Sequence, residues 1–392
     1  MLNFLPLKGL KVIDLTTIIM GPFTSQILGD LGAEIIKIES PEGDLTRDVG
    51  PSKNHKMSSM FLGVNRNKKS LALNLKKKEA KQALFKLIEC SDIFIHNIRP
   101  QKIKALGFSP NKVMSKNNKI IYVALHGYGE EGPYSGKPAY DDIIQGQSGV
   151  SGAFFSRDKK PNLVPSVIAD KSIALLASTA LLSAYIKKLK SNKGSYVEIS
   201  MYEGMVAYTL IEHLYGATFL KKNNKIGYPR LLSKFRKPYK TANGFICILP
   251  YTNKQWLDFF DVIKRPNLKK SKKYSSVGER AKDTNSLYNL IAKHVKKESN
   301  QYWIKLLDKY EIPYGLVNKL EDLQHDPHLK KTNFFRKILH PSEGKIIVPD
   351  TGIKINRKSL PVRLPQPKLG EHTKEILIEL GYDENEIKQI IN

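Results

Sequence analysis

The sequence predicts an α/β fold, a Rossmann-like doubly wound parallel sheet in a large domain together with an inserted, smaller α+β domain. Three observations predict it. The first third alternates short apolar strand patterns with helix patterns, and continuous apolar strands separated by helices specify a parallel sheet covered on both faces. At 392 residues the chain exceeds the size at which one core stops growing. Near residue 240 the pattern changes, and an Asn-Gly turn precedes an apolar strand, a hairpin signal that opens a second unit.

The elements follow in order. LKVIDL at 10–15 reads as the first strand, a helix starts near 22, and AEIIKIE at 33–39 reads as the second strand. SLALNL at 70–75 is the third, followed by a helix over KKEAKQALFKLIEC, a strand DIFIHN at 92–97 and a strand KIIYVAL at 119–125. LTTIIMGPF follows the first strand where a dinucleotide fold carries its glycine fingerprint, so that fingerprint is absent, and no P-loop is present. From Asp170 a long helix runs with Ile173, Ala174, Ala177, Leu181 and Ala184 on one face. Leu175, Leu176 and Leu182 make its other face apolar, which predicts a core helix. SYVEIS then reads as a strand leading into another apolar helix. The large domain is expected over 1–205 and 326–392, a polar linker over 206–227 and the small domain over 228–325. The Pro-rich stretch from Pro361, with a helix after it, reads as a tail that wraps back.

Composition narrows the function classes. A net charge of +27 invites a polyanion reading, but the lysines are scattered in small groups without interleaved aromatics, zinc-finger spacing or an RNA-recognition motif. Solvated faces are the expectation, with no nucleic-acid partner. No run of 18 apolar residues occurs and the N-terminal stretch lacks a signal-peptide pattern, so a cytoplasmic chain with no membrane partner is expected. Cys90 and Cys247 lie far apart in apolar segments and read as buried free thiols. HDPH at 325–328 has no partner carboxylates at ligand spacing and reads as a turn, so no metal site is expected. His126, in ALHGYG, reads as a structural or loop histidine.

Asp170 is the acidic residue that poses a chemical question. It stands at the mouth of the long apolar helix, where an Asp accepts bonds from unpaired backbone N–H groups. The helix dipole favours the anion there by about 0.3–1 kcal/mol, which predicts an ionised carboxylate available as an acceptor or a nucleophile. Capping and nucleophilic chemistry both satisfy the pattern.

Seven segments in order carry a resemblance: LKGLKVIDLT with GPFTSQILGDLGAEIIKIESPEGDLTR, NRNKKSLALNLK, DIFIHNIRPQKIKALGF, GYGEEGPYSGKPAYDDIIQGQSGVSG, ADKSIALLASTALLSAY, GSYVEISMYEG and PYKTANGFICILPYTNKQW. On these the chain resembles the class III (CaiB/BaiF-type) CoA-transferases almost end to end. The resemblance places Asp170 on the family's catalytic aspartate. It implies that CoA moves from an acyl-CoA to a free carboxylic acid through an aspartyl anhydride and an aspartyl-CoA thioester. By the same resemblance Leu73, Lys76, Asn97, Ile98, Arg99, Lys137, Tyr140 and Asp141 contact CoA, which is a substrate and not a bound cofactor. Lys76 also fits a solvated helix start, Asn97 and Arg99 a turn before Pro100, and Tyr140 a core-edge tyrosine. Glycines 146, 149 and 152 are candidates for bringing backbone N–H groups to the oxyanion. An interlocked homodimer is implied as well.

Ile19, Val49 and Met60 depart from the residues of the formyl-CoA members, which argues against formate and oxalate as substrates. The family's racemases use a histidine where this chain has Tyr140, a poor base near neutral pH, so transfer is expected ahead of α-proton abstraction.

Overall fold

The computed structural model describes residues 5–220 and 225–391. Residues 1–4 of the N-terminal stretch and 221–224 of the expected linker lie outside them. The chain opens with β1 (Lys11–Leu15), α1 (Met20–Asp30), β2 (Glu34–Glu39), α2 (Ser59–Val64), β3 (Lys68–Ala72), α3 (Lys78–Glu89), β4 (Ile93–His96), α4 (Pro100–Leu106), α5 (Pro110–Lys116) and β5 (Ile121–His126). It continues with α6 (Asp141–Gln147), α7 (Val150–Asp158), α8 (Ile168–Ser191), β6 (Ser195–Ser200) and α9 (Met201–His213). Then come β7 (Tyr239–Lys240), β8 (Phe245–Ile248), α10 (Asn253–Val262), α11 (Val277–Lys282), α12 (Thr284–Val295), α13 (Asn300–Lys309), β9 (Tyr314–Leu316) and α14 (Pro327–Lys331). The last elements are β10 (Phe335–His340), β11 (Gly344–Pro349), β12 (Lys354–Ile355), β13 (Lys358–Ser359), α15 (Thr373–Glu379) and α16 (Glu384–Ile391).

Two compact units result. The first holds the described residues of Met1–Ser148, Val164–Tyr208 and Lys331–Asn392, and the second those of Gly149–Leu163 and Thr209–Lys330. This division differs from the one drawn on the sequence at three places, one being the return to the first unit at Lys331 and not at 326. The stretch Gly149–Leu163 groups with the second unit, and so does most of the stretch read as a linker, which continues α9 to His213.

In the first unit six strands form one sheet in the order β3-β2-β1-β4-β5-β6, parallel throughout. That order reverses at β1/β4, so the connections on its two sides run in opposite directions across the sheet, and the right-handedness expected of such crossovers carries their helices to opposite faces. Ile13, Leu15, Ile36, Ile38 and Leu71 pack with Leu84, Leu87 and Ile88 of α3 on one face. On the alternate face Val12 and Ile35 are buried where α1 and α8 lie against each other. The third strand begins at Lys68, earlier than expected, because Lys68 is buried in the sheet and ion-paired.

The wrapping tail belongs to this unit. Leu364 O accepts from Asn67 N–H (2.9 Å), His372 N–H donates to Ser70 O (3.0 Å), and Ala72 N–H donates to Thr373 Oγ1 (3.0 Å). The free edge of β3 is thereby covered, and Ile376, Leu377, Ile387 and Ile390 of two helices, where one was expected, enter the core.

The helix α8 departs from its expected burial. Ile173, Ala174, Ala177, Leu181 and Ala184 are buried, but Leu175, Leu176, Ile186 and Leu189 are exposed, so its apolar wrap is only half used by this chain. By length and composition it is the one described helix apolar enough to cross a membrane, although its buried stripe packs as a core helix does. Both cysteines are free thiols, yet each is exposed and not buried as the apolar segments suggested.

In the second unit the small sheet has the order β7-β8-β9, and the Asn243-Gly244 turn joins β7 to β8 as expected, with Thr241 N–H donating to Gly244 O (2.9 Å). Ile246 and Ile248 of β8 point into a core with Trp256, Phe259, Phe260, Leu287 and Trp303. The capping box at Thr252 and Gln255 starts α10, and Ser299 starts α13. At the HDPH stretch, Pro327 begins α14.

Candidate active site

In a doubly wound sheet a crevice opens at the carboxyl ends of the strands where their order reverses. A cavity of about 320 Å³ opens at that point in the first unit, between the ends of β1 and β4. Thr17 and Ile18 reach it from β1, Asn97, Ile98 and Arg99 from β4, and His126 to Tyr128 from β5; the 136–140 loop and Asp170 complete it. A second cavity of about 300 Å³ shares Thr17 and Ile98 with the first and extends over the ends of β2 and β3 to Leu73 and Lys76.

Close approach builds these walls. A Cβ on Gly21 would fall 2.3 Å from Thr16 Cβ, so glycine lets the first turn of α1 sit on the end of β1. A Cβ on Gly127 would fall 2.4 Å from Ala139 Cβ, so a second glycine admits the loop that carries Tyr140. The loop after β1 is pinned from three sides. Asn97 Oδ1 accepts from Thr17 N–H (3.0 Å) and its Nδ2 donates to Thr17 O (2.8 Å). Lys37 Nζ, fully buried, donates to Thr16 O (2.7 Å) and pairs with Asp44 (2.9 Å), whose other oxygen accepts from Ile18 N–H (3.2 Å). Asp14 Oδ1 accepts from Thr16 N–H (2.9 Å), and Lys68 lies 3.1 Å from the other oxygen of Asp14. These contacts hold Ile18 at φ 73°, a left-handed conformation that strains a β-branched residue by about 1–3 kcal/mol.

The ions beneath the loop are mutually supported. Burial pushes the Asp14 carboxyl up, but Lys68 and Lys37 outweigh it and hold it below its ordinary value. Lys37 ends above its ordinary value because Asp44, Asp14 and Glu39 outweigh its burial. Lys68 is pushed down to about 8 by burial, against the attraction of Asp14.

Asp170 is the third residue of α8, not its cap, and Val167 at the cap position makes no side-chain bond. The capping task has passed to another acid. Asp141 Oδ1 accepts from Asp170 N–H (3.0 Å), while Asp141 Oδ2 accepts from Gln145 Nε2 (2.6 Å). Gln145 is buried and in turn fixes the approach to α8, donating to Ser166 O (3.1 Å) and accepting from Val164 N–H (2.9 Å). Asp170 itself is 9% exposed, and its carboxyl accepts no hydrogen bond among the described residues. Burial first, and the Asp141 carboxylate second, push it up to about 7. Desolvation and a like charge thus work against the ionised form that the helix end favours by about 0.3–1 kcal/mol.

Asn97, Ile98, Arg99, Lys137 and Tyr140 line the same cavity as Asp170. Leu73 and Lys76 line the adjoining one, and Asp141 stands behind Asp170. Tyr140 is 63% exposed and not a core-edge residue. Lys137 Nζ lies 4.4 Å from the Tyr134 ring centroid, and the Arg99 guanidinium reaches Gly136 O (3.5 Å), so both cations lean on the loop and face the opening. Of the glycines, Gly146 lies inside α6, whereas Gly149 and Gly152 belong to the second unit.

Sequence reasoning missed Lys102, a further cation of the cavity wall, as well as Gln145 and the buried ions. It also missed the pairing of His126. His126 Nε2 lies 2.9 Å from Glu130 Oε1, and Tyr196 donates to the same oxygen (2.9 Å). His96, beside it, is pushed down to about 3 by burial and then by His126, and its Nε2 has no hydrogen-bond partner among the described residues. The Glu four residues after His126 was the legible signal.

Comparison with known proteins follows from this geometry. The family described as CoA-transferase family III matches residues 7–373. Human succinyl-CoA:glutarate CoA-transferase is 30% identical over 395 aligned residues, covering 100% of this chain and 90% of that one. The (R)-2-hydroxy-4-methylpentanoate CoA-transferase of Clostridioides difficile is 28% identical, with 97% of each chain covered. Among solved structures, a CaiB/BaiF family protein from Brucella suis superposes with a TM-score of 0.79 at 26% identity, covering 96% of this chain and 99% of that one.

Proposed function

The chain belongs to CoA-transferase family III, and from that premise we propose that it moves CoA from an acyl-CoA donor to a free carboxylic acid, with Asp170 as the nucleophile. One observation carries the reading: a buried carboxyl without a hydrogen bond, raised to about 7, in the cavity where the strand order reverses. A carboxylate is ordinarily a weak nucleophile. One whose conjugate acid has a pKa near 7, with no donor occupying its lone pairs, is more basic and needs no solvent stripped from it before attack.

The deprotonated Asp170 attacks the thioester carbonyl, the C–S bond breaks, and the electron pair leaves with the CoA thiolate. The thiolate then attacks the Asp170 carbonyl of the anhydride and expels the donor acid as a carboxylate. The acceptor carboxylate attacks the resulting aspartyl thioester, releasing thiolate and forming a second anhydride. Thiolate attack on the acceptor's own carbonyl completes transfer and frees Asp170. Charge is conserved at every step, so no external oxidant or base enters. The N-terminus of α1 at Met20, which lacks a side-chain cap, offers backbone donors to the oxyanion. Arg99, Lys102 and Lys137 supply positive charge around the opening, and Lys76 with Leu73 offers the adjoining cavity to the nucleotide end of CoA.

The exposed apolar side of α8 supports association with a second copy of this chain, and an interlocked homodimer is part of the proposal. The racemase alternative rests on His126, which lines the same cavity and is paired with Glu130, a histidine-carboxylate arrangement suited to proton abstraction.

Exchange of CoA between pairs of acids tests the reading. Transfer requires that exchange vanish in Asp170→Asn and that hydroxylamine trap an acylated Asp170 during turnover. Exchange of the α-proton into deuterated water without any acceptor acid, persisting in Asp170→Asn and lost in His126→Ala, would instead establish the alternative.

A further inference from the structure

A larger cavity lies elsewhere. About 670 Å³ opens in the second unit over β7, β8 and β9, roughly twice the volume of the one that holds Asp170. Its size lies within the ~300–1,000 Å³ of small-molecule sites. The sheet supplies the floor, with Cys247 of β8 opposite Gly315 of β9 in the register. A Cβ on Gly315 would meet nothing within 4 Å, so the missing side chain leaves the floor open. Ile248, Leu249, Pro238, Pro313 and the rings of Tyr239, Tyr288 and Tyr314 make walls that are mostly apolar and aromatic.

The polar groups sit on one side. Arg236 and Lys237 are exposed at the rim and have no ion-pair or side-chain hydrogen-bond partner among the described residues, whereas Arg157 is already engaged by Asp158 (2.6 Å). Two of the tyrosines are committed as well, since Tyr288 OH accepts from Arg230 (3.2 Å) and Tyr314 OH donates to Asp308 (2.9 Å). Tyr239 is different. It is 5% exposed, and its hydroxyl has no hydrogen-bond partner among the described residues. Burial first, then Tyr288 and Cys247, push its phenol up, while Arg236 acts the other way. The Tyr239 hydroxyl oxygen is not one of the fully buried unpaired atoms, so it stays accessible, and the residue lines the cavity.

We infer that this cavity binds an organic monocarboxylate with a flat or branched apolar body, its carboxylate taken by Arg236, Lys237 and the Tyr239 hydroxyl and its body by the tyrosine walls. A guanidinium fork beside a phenol matches a planar carboxylate, and no helix N-terminus or glycine turn of the kind that cradles phosphate lines the site. The inference does not depend on the reading of Asp170.

Cys247 serves as the reporter, because its exposed thiol lines the cavity. In a Cys90→Ser, Asp170→Asn chain, which leaves one thiol and removes the carboxylate proposed to react, the rate of Cys247 modification by an aromatic disulfide reagent is followed with added 3-phenylpropionate. Saturable slowing is expected. Arg236→Ala is expected to raise the concentration needed by about 10- to 100-fold, the worth of one hydrogen bond to a charged group. Gly315→Leu, which fills the floor, is expected to abolish protection. Equal protection by 3-phenylpropanamide or by inorganic phosphate would overturn the carboxylate assignment. Modification that ignores 3-phenylpropionate, or protection that survives both Arg236→Ala and Gly315→Leu, would overturn the site.

Discussion

Replacing Asp170 by Asn makes the protein more stable at alkaline pH and leaves it unchanged in acid. The carboxyl is raised from 3.8 to about 7, with burial as the leading cause. An acid whose folded-state pKa lies above its unfolded value binds more protons in the folded state, so stability is greatest below about pH 4 and is lost as pH rises toward 7. Three pKa units at 1.36 kcal/mol each correspond to about 4 kcal/mol, an upper figure that water entry into the cavity reduces. Asn keeps the shape of the side chain and carries no charge at any pH, so it escapes that loss. For a unit of this size 1 kcal/mol moves Tm by roughly 2 °C, and the variant should melt roughly 4–8 °C above the parent at pH 8. Thermal and urea denaturation of both proteins at pH 4, 6 and 8 measures it. The reasoning fails if the two pH slopes coincide, or if Asp170→Asn is the less stable protein at pH 8. Such a gain on removing a reactive group is the usual trade between stability and activity.

Asp141→Asn removes the second cause of that shift, so the acidic limb of the pH profile of kcat/KM should move to lower pH while burial keeps it above 4; a limb that stays near 7 would show that Asp141 contributes nothing. Asn97→Ala deletes both bonds to Thr17 and should cost about 1–3 kcal/mol of stability with a rise in KM for the acyl-CoA, read by denaturation and steady-state kinetics. Lys37→Met leaves Asp44 buried without its cation and should destabilise the first unit by about 3–5 kcal/mol, whereas a double change that also makes Asp44 apolar should recover part of it. Arg99→Ala and Lys137→Ala should weaken CoA binding in a manner that fades with added salt, measured by calorimetry.

The strands of the large sheet were legible because each is a short apolar run bounded by helix patterns, and the hairpin of the second unit because Asn-Gly chemistry is local. The convergence of Asn97, Ile98, Arg99, Lys137 and Tyr140 on Asp170 was legible only through resemblance, since no periodicity links positions so far apart. Lys37 and Lys68 look like two more solvated lysines in a basic chain. Their burial depends on Asp14 and Asp44, partners that the sheet register and the loops bring together, and no composition argument reaches that. The forces opposing ionisation of Asp170 were illegible for the same reason. The helix end is visible in the sequence, but an Asp141 that takes the capping bond 29 residues away is not. The exposed side of α8 was missed because an all-apolar helix is ordinarily read as enclosed, and nothing local says which neighbours a chain lacks.

The segment that runs along β3 has a consequence for biosynthesis. Ser70 and His372, joined across that edge, are separated by 302 residues, and at about 5–20 residues per second a ribosome needs roughly 15–60 s to make the second after the first. For that interval the nascent sheet presents an open ladder and the apolar floor that Ile376, Leu377, Ile387 and Ile390 later fill. Chaperone capture or mispairing is concentrated in this window, and deleting the segment would make the whole lifetime of the protein resemble it.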